Sequence, residues 1–286
     1  MSTGTSTTTA TTATRAAAGV DGGTSTGALL TSELRKLTTT KLWWILLLAM
    51  VVGSAGLTAF TVFAGLHAPK SPLGFDSAAE VVSAYNLAVA IAYVFPLALG
   101  VVSVTQEYNS RTIAATFLAE PRRTRVYGAK VLVGLGAAFV YGTLSVGAGT
   151  LAAAALLSGD GKDPYLTEGP VPGALLGSVA VLTLWGAIGV GVGALVRNQT
   201  AAVVGILLVT QFLEPTLRVL ASAAGHPGLG NALPGGAGDI AAGGTIMTAA
   251  AGAEGVSQGL GFLVLVLYAA GVGALGWLRF TRHEVS

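Results

Sequence analysis

The stretch QEYNSRTIAATFLAEPRRTRVYGAK, residues 106–130, is a polar segment in a chain that is otherwise mostly apolar. The runs on either side of it, 81–104 and 126–157, are long enough to cross the roughly 30 Å hydrocarbon core of a bilayer as helices. The polar stretch is therefore expected to connect two membrane spans and to lie outside the lipid, on one side of the membrane.

Positive charge predicts which side that is. Short loops rich in Lys and Arg are retained in the cytoplasm, so this loop is expected to be cytoplasmic. Its cations are Arg111, Arg122, Arg123, Arg125 and Lys130. In the whole predicted topology, only Lys70, Lys162 and Arg218 of the 15 Lys and Arg residues fall on the opposite side.

Within this loop the residue spacing predicts one amphipathic helix of about three turns. Asn109 or Ser110 can cap its first turn, and Pro121 ends it. Ile113 and Phe117 lie four residues apart, on one apolar face. Two roles are open for this face. It lies on lipid headgroups, as basic amphipathic segments do, or it seats in a groove on a soluble partner.

Composition places the chain among polytopic membrane proteins. Of its 286 residues, 52% are hydrophobic and 10% are charged, with a mean hydropathy of +0.72, whereas soluble domains carry about 25% charged residues. The formal net charge is +2, but the cations lie beside apolar runs, so a nucleic-acid partner is not expected. The chain has no cysteine, and its three histidines have no partner at ligand spacing, so a metal site is not expected either.

The apolar runs predict an all-α fold with six transmembrane helices and both termini in the cytoplasm. Residues 1–27, rich in Thr, Ala and Gly, are predicted to be a disordered cytoplasmic tail. Residues 28–282 are expected to form the membrane domain, with spans at about 42–66, 81–104, 126–157, 173–196, 200–224 and 256–278. Residues 225–255, rich in Gly and Ala and interrupted by prolines, are expected to form an outer re-entrant or surface segment.

The segment before the first span, ALLTSELRKLTTTK at 28–41, predicts an amphipathic helix lying flat at the inner membrane surface. Its apolar stripe is formed by Leu30, Leu34 and Leu37. Trp43 and Trp44 then open the first span, at the level where indole rings prefer to lie.

Charged residues and prolines inside the spans are the candidates for a translocation path. Glu214 and Arg218 lie four residues apart in the fifth span, where an unpaired charge is unfavourable. Either they pair with each other on one helix face, or they face the bundle interior and shape the outer end of a substrate path. Pro96 and Pro215 interrupt the middle span of each three-span half, and breaks at corresponding places can mark such a path.

The motifs of nucleotide-binding and catalytic sites are missing from the sequence. Its only Gly-Lys pair, Gly161-Lys162, is followed by Asp163 in a predicted outer loop and does not open a helix as a phosphate-binding loop does. No nucleophile elbow or paired-histidine helix occurs. The sequence therefore predicts a non-enzymatic membrane subunit with no catalytic residues, and any ATP is expected to be hydrolysed by another chain.

Four segments carry a family resemblance: SELRKL (32–37), the Trp-opened first span, the inner loop EYNSRTIAATFLAEPRRTRVYGAK (107–130) and LPGGAGDIAAGG (233–244). Together they resemble the membrane subunits of type-2 ATP-binding-cassette (ABC) exporters, particularly those of high-GC Gram-positive bacteria. The resemblance extends from residue 28 to residue 282. Its most specific residues lie in the inner loop and are Glu107, Thr112, Pro121, Arg122 and Lys130.

The resemblance implies a dimer of six-span subunits in the plasma membrane, formed with a second copy or a paralogue. Separate ATP-binding subunits would hold ATP and Mg, and this chain would bind no cofactor itself. The loop helix would be the coupling helix, with Ile113 and Phe117 seated in a groove of the ATPase. Glu107 and the loop arginines, Arg111 among them, would fix the angle of that contact. The helix at 28–41 would be the connecting helix.

The function implied by the resemblance is export driven by ATP hydrolysis in the partner subunit. The spans offer apolar surfaces with few charges, which favours an amphipathic or lipophilic substrate over a small ion. Two alternatives remain open. One is an ATP-independent secondary transporter, and the other is a membrane anchor or assembly factor that recruits a soluble protein.

Overall fold

The computed structural model describes residues 25–68, 73–196, 198–244 and 256–282. Over these ranges the chain is α-helical and contains no strand, which confirms the predicted all-α class. The predicted disordered tail, 1–27, lies outside the described residues except for its last three positions.

The helices follow one another with short connections. In chain order they are α1 (Thr26–Thr38), α2 (Leu42–His67), α3 (Ala78–Leu87), α4 (Val89–Ala92), α5 (Val94–Asn109), α6 (Ile113–Ala119), α7 (Arg123–Gly159), α8 (Val171–Leu195), α9 (Gln199–Leu208), a π-helical turn (Val209–Leu213), α10 (Glu214–Ala223), α11 (Pro227–Asn231), α12 (Pro234–Ala241) and α13 (Gln258–Arg282).

Within the described residues, six helical segments are long and apolar enough to cross a membrane. Four are single helices, α2, α7, α8 and α13. The second span combines α3, α4 and α5, and the fifth combines α9, the π-helical turn and α10. The number agrees with the sequence prediction, and these helices indicate a membrane protein.

Hydrogen bonds between distant segments bring α1 and the ends of several spans together at one end of the bundle. Arg123 at the start of α7 donates from Nη1 to the carbonyl of Thr281 in α13 at 3.3 Å. Asn109 at the end of α5 donates to Oε1 of Gln199 at the start of α9, at 3.0 Å. Because α6 and most of the predicted inner cations lie here, we call this the basic end.

The loops of the opposite end also contact one another. Lys162, after α7, pairs with Asp76, before α3, at 2.6 Å. The hydroxyl of Tyr85 in α3 donates to the carbonyl of Pro164 at 3.1 Å. We call this the loop end. Consecutive spans run in opposite directions between the two ends, but the most extensive helix contacts include the parallel pairs α2 with α7 and α5 with α8.

The second and fourth spans pack with their backbones in close contact, because glycines line the interface. A Cβ on Gly189 of α8 would lie 2.2 Å from the carbonyl oxygen of Leu97, and one on Gly193 would lie 2.6 Å from that of Val101. Small residues allow this approach in membrane helix pairs. The second span is the most enclosed of the six, since 61% of its most apolar stretch of 18 residues is buried. The fifth span is peripheral, with 11% of the corresponding stretch buried.

Prolines lie beside one irregularity in the second span and one in the fifth. A proline has no N–H to donate to the carbonyl four residues earlier and its ring crowds that carbonyl. Pro96 lies in the first turn of α5, directly after the interruption at Tyr93. Pro215 is the second residue of α10, and the π-helical turn Val209–Leu213 begins six residues before it and ends two residues before it. The irregularity expected at Pro96 is therefore present.

The segment after the fifth span folds inward. α12 packs against α8 and α13, and Ala237 and Ala242 are fully buried. Gly261 of α13 allows this packing, since a Cβ there would lie 2.7 Å from the carbonyl oxygen of Ala237. Residues 225–255 were expected to form either a re-entrant segment or a surface segment. For α12 the prediction of a surface segment is wrong, because the small residues of α12 fit between helices. Residues 245–255 lie outside the described ranges.

Candidate functional site

Four charged side chains form one ion-pair cluster at the basic end. Lys130 of α7 places Nζ 2.7 Å from Oε2 of Glu33 in α1 and 2.5 Å from Oε1 of Glu107 in α5. Lys36 of α1 lies 2.6 Å from Glu33 and 3.0 Å from Glu107. The side chains of Lys130, Glu33 and Glu107 are at most 5% exposed. The cluster therefore joins α1, α5 and α7 with two positive and two negative charges.

The cluster also holds α6. Thr116 of α6 donates from Oγ1 to Oε2 of Glu107 at 3.3 Å and accepts from Nζ of Lys36 at 3.2 Å. Partial burial lowers the pKa of Lys36, but its hydrogen bond to Glu33 and the charge of Glu107 outweigh burial, so the pKa lies above the ordinary value of 10.5. Lys36 is thus charged at neutral pH, and the four helices are tied together by charge-assisted hydrogen bonds.

The two residues of the predicted apolar face of α6, Ile113 and Phe117, both contact other parts of the same chain. Ile113 is 7% exposed. Phe117 packs edge-on against Phe280 of α13, with ring centroids 5.4 Å apart, and Arg123 lies over the Phe117 ring at 4.7 Å. Ile113 is therefore buried and Phe117 is half-buried against Phe280 and Arg123, and their seating in a partner's groove stays a prediction. The exposed apolar side chain of α6 is Leu118, at 85%.

The loop around α6 is shorter and differently capped than predicted. α6 has seven residues rather than three turns, and its N-cap is Thr112, without a side-chain cap. Asn109 belongs to α5, and the Ser110 hydroxyl bonds Gln106 and Thr112 instead. Neither predicted cap is used, because the chain turns sharply at Arg111, whose φ is 56°.

The remaining loop residues predicted to take part in coupling are exposed. Arg111, Thr112, Pro121 and Arg122 all face solvent around α6. Beside them lies a pair that the sequence reading missed. Glu120 is buried and accepts from Nη1 of Arg125 at 2.8 Å.

The buried face of α1 is rotated relative to the predicted stripe. Leu29, Glu33 and Leu37 are buried, and Leu30 packs beside them, whereas Leu34 is 50% exposed. The leucine spacing alone did not predict this buried face, because a stripe chosen by its leucines leaves Glu33 on the surface. Glu33 points inward because Lys130, distant in sequence, supplies its opposite charge.

A second polar region lies in a cavity of about 550 Å³ between the second and fifth spans. Its apolar wall includes Leu87, Ala90, Ile91, Pro215 and Val219. Its polar lining residues are Tyr93, Thr210, Gln211, Glu214, Arg218, Ser222 and Asp239. Three of the predicted path residues, Glu214, Pro215 and Arg218, therefore line one cavity.

Glu214 and Arg218 bond α12 rather than each other. Arg218 donates from Nη1 to Oδ2 of Asp239 at 2.9 Å. Glu214 accepts at Oε1 from the N–H groups of Gly235 and Gly236, at 2.5 and 3.0 Å. The interpretation that the two residues pair on one helix face is wrong, because α12 presents a carboxylate to one and an N-terminal turn to the other.

Three atoms of residues that line this cavity are unpaired. Oγ1 of Thr210, Oε2 of Glu214 and Nη2 of Arg218 are buried and have no hydrogen-bond partner within the described part of the chain. Asp239 was not singled out from the sequence, where it stands in a Gly- and Ala-rich segment. An isolated acid in such a segment was the one available signal.

Tyr93 brings the two proline-associated irregularities together. Its hydroxyl donates to the carbonyl of Thr210 in the π-helical turn at 3.1 Å and accepts from Nε2 of Gln211 at 2.9 Å. Its ring stacks on Trp185 of α8, with centroids 4.3 Å apart. Pro96 itself is buried and lies one turn into α5, outside the cavity lining.

One helix links the two polar regions. α5 begins directly after Tyr93, in the cavity wall, and carries Glu107 near its other end. The distance along the helix axis from position 93 to position 107 is about 21 Å.

Within the described ranges, no group of three or more His, Asp or Glu side chains is placed to hold a metal ion. No family model matches the chain, and no curated protein matches its sequence. The resemblance to exporter subunits therefore remains a prediction from the residues quoted above.

Proposed function

We propose that the chain is the membrane subunit of an ATP-driven exporter of the ABC type, moving an amphipathic or lipophilic molecule. One observation carries the proposal: α5 runs unbroken from the ion-pair cluster that holds α6 to the cavity between the second and fifth spans. A surface element that a partner can push is thereby connected to a cavity that a substrate can occupy.

The ion-pair cluster suits the transmission of force. Separating a buried ion pair leaves charges without compensation, at about 3–5 kcal/mol, so α1, α6 and α7 should move with α5 rather than slide past it. The exposed part of α6, with Leu118 and the loop arginines, is the surface on which a partner would act. In this proposal the partner hydrolyses ATP, since the chain has no phosphate-binding loop.

The orientation follows from charge. The basic end would face the cytoplasm of a plasma membrane, with both termini on that side, because inner loops retain Lys and Arg. A second copy or a paralogue would complete the transporter. The peripheral fifth span, where Phe212 and Val219 are each 68% exposed, is available to lipid or to that second subunit.

A crosslinking experiment tests the partner. The chain lacks cysteine, so Leu118→Cys introduces a single thiol on the exposed face of α6. A thiol-to-amine crosslinker applied to native membranes should join this variant to a protein that contains a phosphate-binding loop, identified by mass spectrometry. Leu166→Cys, on an exposed leucine at the loop end, is the matched control and should not crosslink to it.

Reconstitution of the crosslink partner with the chain tests transport. Proteoliposomes should move a fluorescent amphiphile only when ATP is supplied on the side of the basic end. Flux driven by a sodium or proton gradient without the partner would identify a secondary transporter. Binding of a partner without ATP-dependent flux would identify an anchor or assembly factor.

A further inference from the structure

The cavity between the second and fifth spans is lined by two acidic side chains and one basic side chain. Its charged lining residues within the described chain are Glu214, Asp239 and Arg218. Arg218 is already bonded to Asp239 at 2.9 Å, so Glu214 has no cation of its own. Glu214 is 4% exposed and its Oε2 is unpartnered. A buried carboxylate in this position favours a ligand that brings a positive charge.

The geometry around Glu214 fixes one oxygen and leaves the other without a hydrogen-bond partner. Oε1 accepts from the N–H groups of Gly235 and Gly236 in the first turn of α12, and a helix N-terminus stabilises a carboxylate. The side chain is therefore held in one orientation, with Oε2 left over. An N–H donor on the ligand would complete its hydrogen bonding.

The rest of the cavity favours a hydrocarbon group. Leu87, Ile91 and Val219 line it, and Ile91 and Val219 are 52% and 68% exposed on the outer surface of the bundle. A ligand can thus enter from the lipid side. The volume of about 550 Å³ lies within the range that holds small organic ligands.

We propose that this cavity binds an amphiphilic monocation whose protonated amine donates to Oε2 of Glu214 and whose hydrocarbon chain packs against Leu87, Ile91 and Val219. This names the substrate class of the exporter and rests on the proposed function for the direction of movement. Anionic amphiphiles are disfavoured because Glu214 and Asp239 repel them. The free Nη2 of Arg218 accommodates a hydroxyl or carbonyl oxygen next to the amine.

Protection of a single thiol tests the proposal. Ser222 lines the cavity, and Ser222→Cys gives the cysteine-free chain one thiol there. The full chain in lipid nanodiscs is alkylated with N-ethylmaleimide in the presence of dodecylamine, dodecanol or dodecyl sulfate at equal mole fractions of lipid. Dodecylamine at neutral pH should slow alkylation about tenfold more than the other two, as one charge-assisted hydrogen bond predicts.

Two variants locate the effect. Glu214→Gln keeps an oxygen for the N–H groups of α12 but removes the charge, and should reduce protection by dodecylamine to that by dodecanol. Glu168→Gln, an exposed acid between α7 and α8, is the matched control and should retain full protection. Ile91→Trp narrows the cavity without touching the charged residues and should abolish protection by dodecylamine.

Equal protection by dodecylamine and dodecyl sulfate would overturn the proposal, as would undiminished protection of Glu214→Gln or Ile91→Trp. Neither ATP nor a partner is present in this assay. A negative result therefore leaves ATP-driven export standing, and a failure of ATP-driven flux leaves the binding result standing.

Discussion

The ion-pair cluster at the basic end and the cavity between the second and fifth spans are both buried and charged, yet they differ in how far their charges are compensated. In the cluster, Lys36 and Lys130 are each bonded to both Glu33 and Glu107. In the cavity, the one guanidinium, of Arg218, is paired with Asp239, and Oε2 of Glu214 has no partner among the described residues. The first arrangement stabilises one packing of helices, and the second retains capacity for a ligand.

The comparison is tested most strongly by Lys130→Met. Removing this cation leaves Glu33 and Glu107 buried with only Lys36 between them, so we expect a loss of about 3–5 kcal/mol of stability. The midpoint of thermal unfolding in detergent measures it. Lys162→Met, which removes a solvent-exposed pair with Asp76, is the control and should change the midpoint little. An equal shift in both variants would show that the cluster does not hold the helices.

Phe117→Asp and Leu118→Asp separate packing from docking on α6. Phe117 contacts Phe280 and Arg123, so placing a carboxylate there should destabilise the chain by about 2 kcal/mol. Leu118 is exposed, so Leu118→Asp should leave the unfolding midpoint unchanged while reducing recovery of the crosslink partner. If Leu118→Asp recovered the crosslink partner normally, the proposal that the partner docks on α6 would be wrong.

Tyr93→Phe tests the connection between α5 and the cavity. The variant loses the hydrogen bonds to Thr210 and Gln211 but keeps the ring stacked on Trp185, so the expected loss of stability is about 1 kcal/mol. Substrate-dependent stimulation of ATP hydrolysis in the reconstituted complex should fall more than basal hydrolysis. Equal changes in the two rates would indicate that this contact is only structural.

Among the substitutions of buried residues, Glu214→Gln should change stability least. The glutamine oxygen can still accept from Gly235 and Gly236, so the unfolding free energy should change by less than about 1 kcal/mol. Glu107→Gln, the matched change in the ion-pair cluster, should be clearly more destabilising because Lys36 and Lys130 lose a shared partner. Similar unfolding midpoints for the two variants would show that the ion-pair cluster and the cavity do not differ in their contribution to stability.

The sequence predicted the features that depend on local composition. Six apolar segments and the irregularity near Pro96 follow from residue runs and from the missing proline N–H. The pairings were not predictable in the same way. Glu33 and Lys130 meet only after α1 has packed on α7, and Arg218 and Asp239 meet only after α10 has packed on α12, so the partner of each charge could not be named from its own segment.

The faces of α1 and α6 show most clearly what residue spacing alone cannot predict. The leucines of α1 fit more than one helical stripe, and the choice between Leu30–Leu34 and Leu29–Glu33 depends on Lys130 of another helix. On α6, Ile113 and Phe117 were recognisable as an apolar face. Spacing could not reveal that Phe280, near the end of the chain, packs edge-on against Phe117.

The glycine contacts between α5 and α8 have a mechanical consequence. Gly189 and Gly193 lie against the carbonyl groups of Leu97 and Val101, so we expect α5 and α8 to bend less together than either helix would alone. A displacement of one end of α5 should therefore displace its other end as well, and the fourth span should move with it.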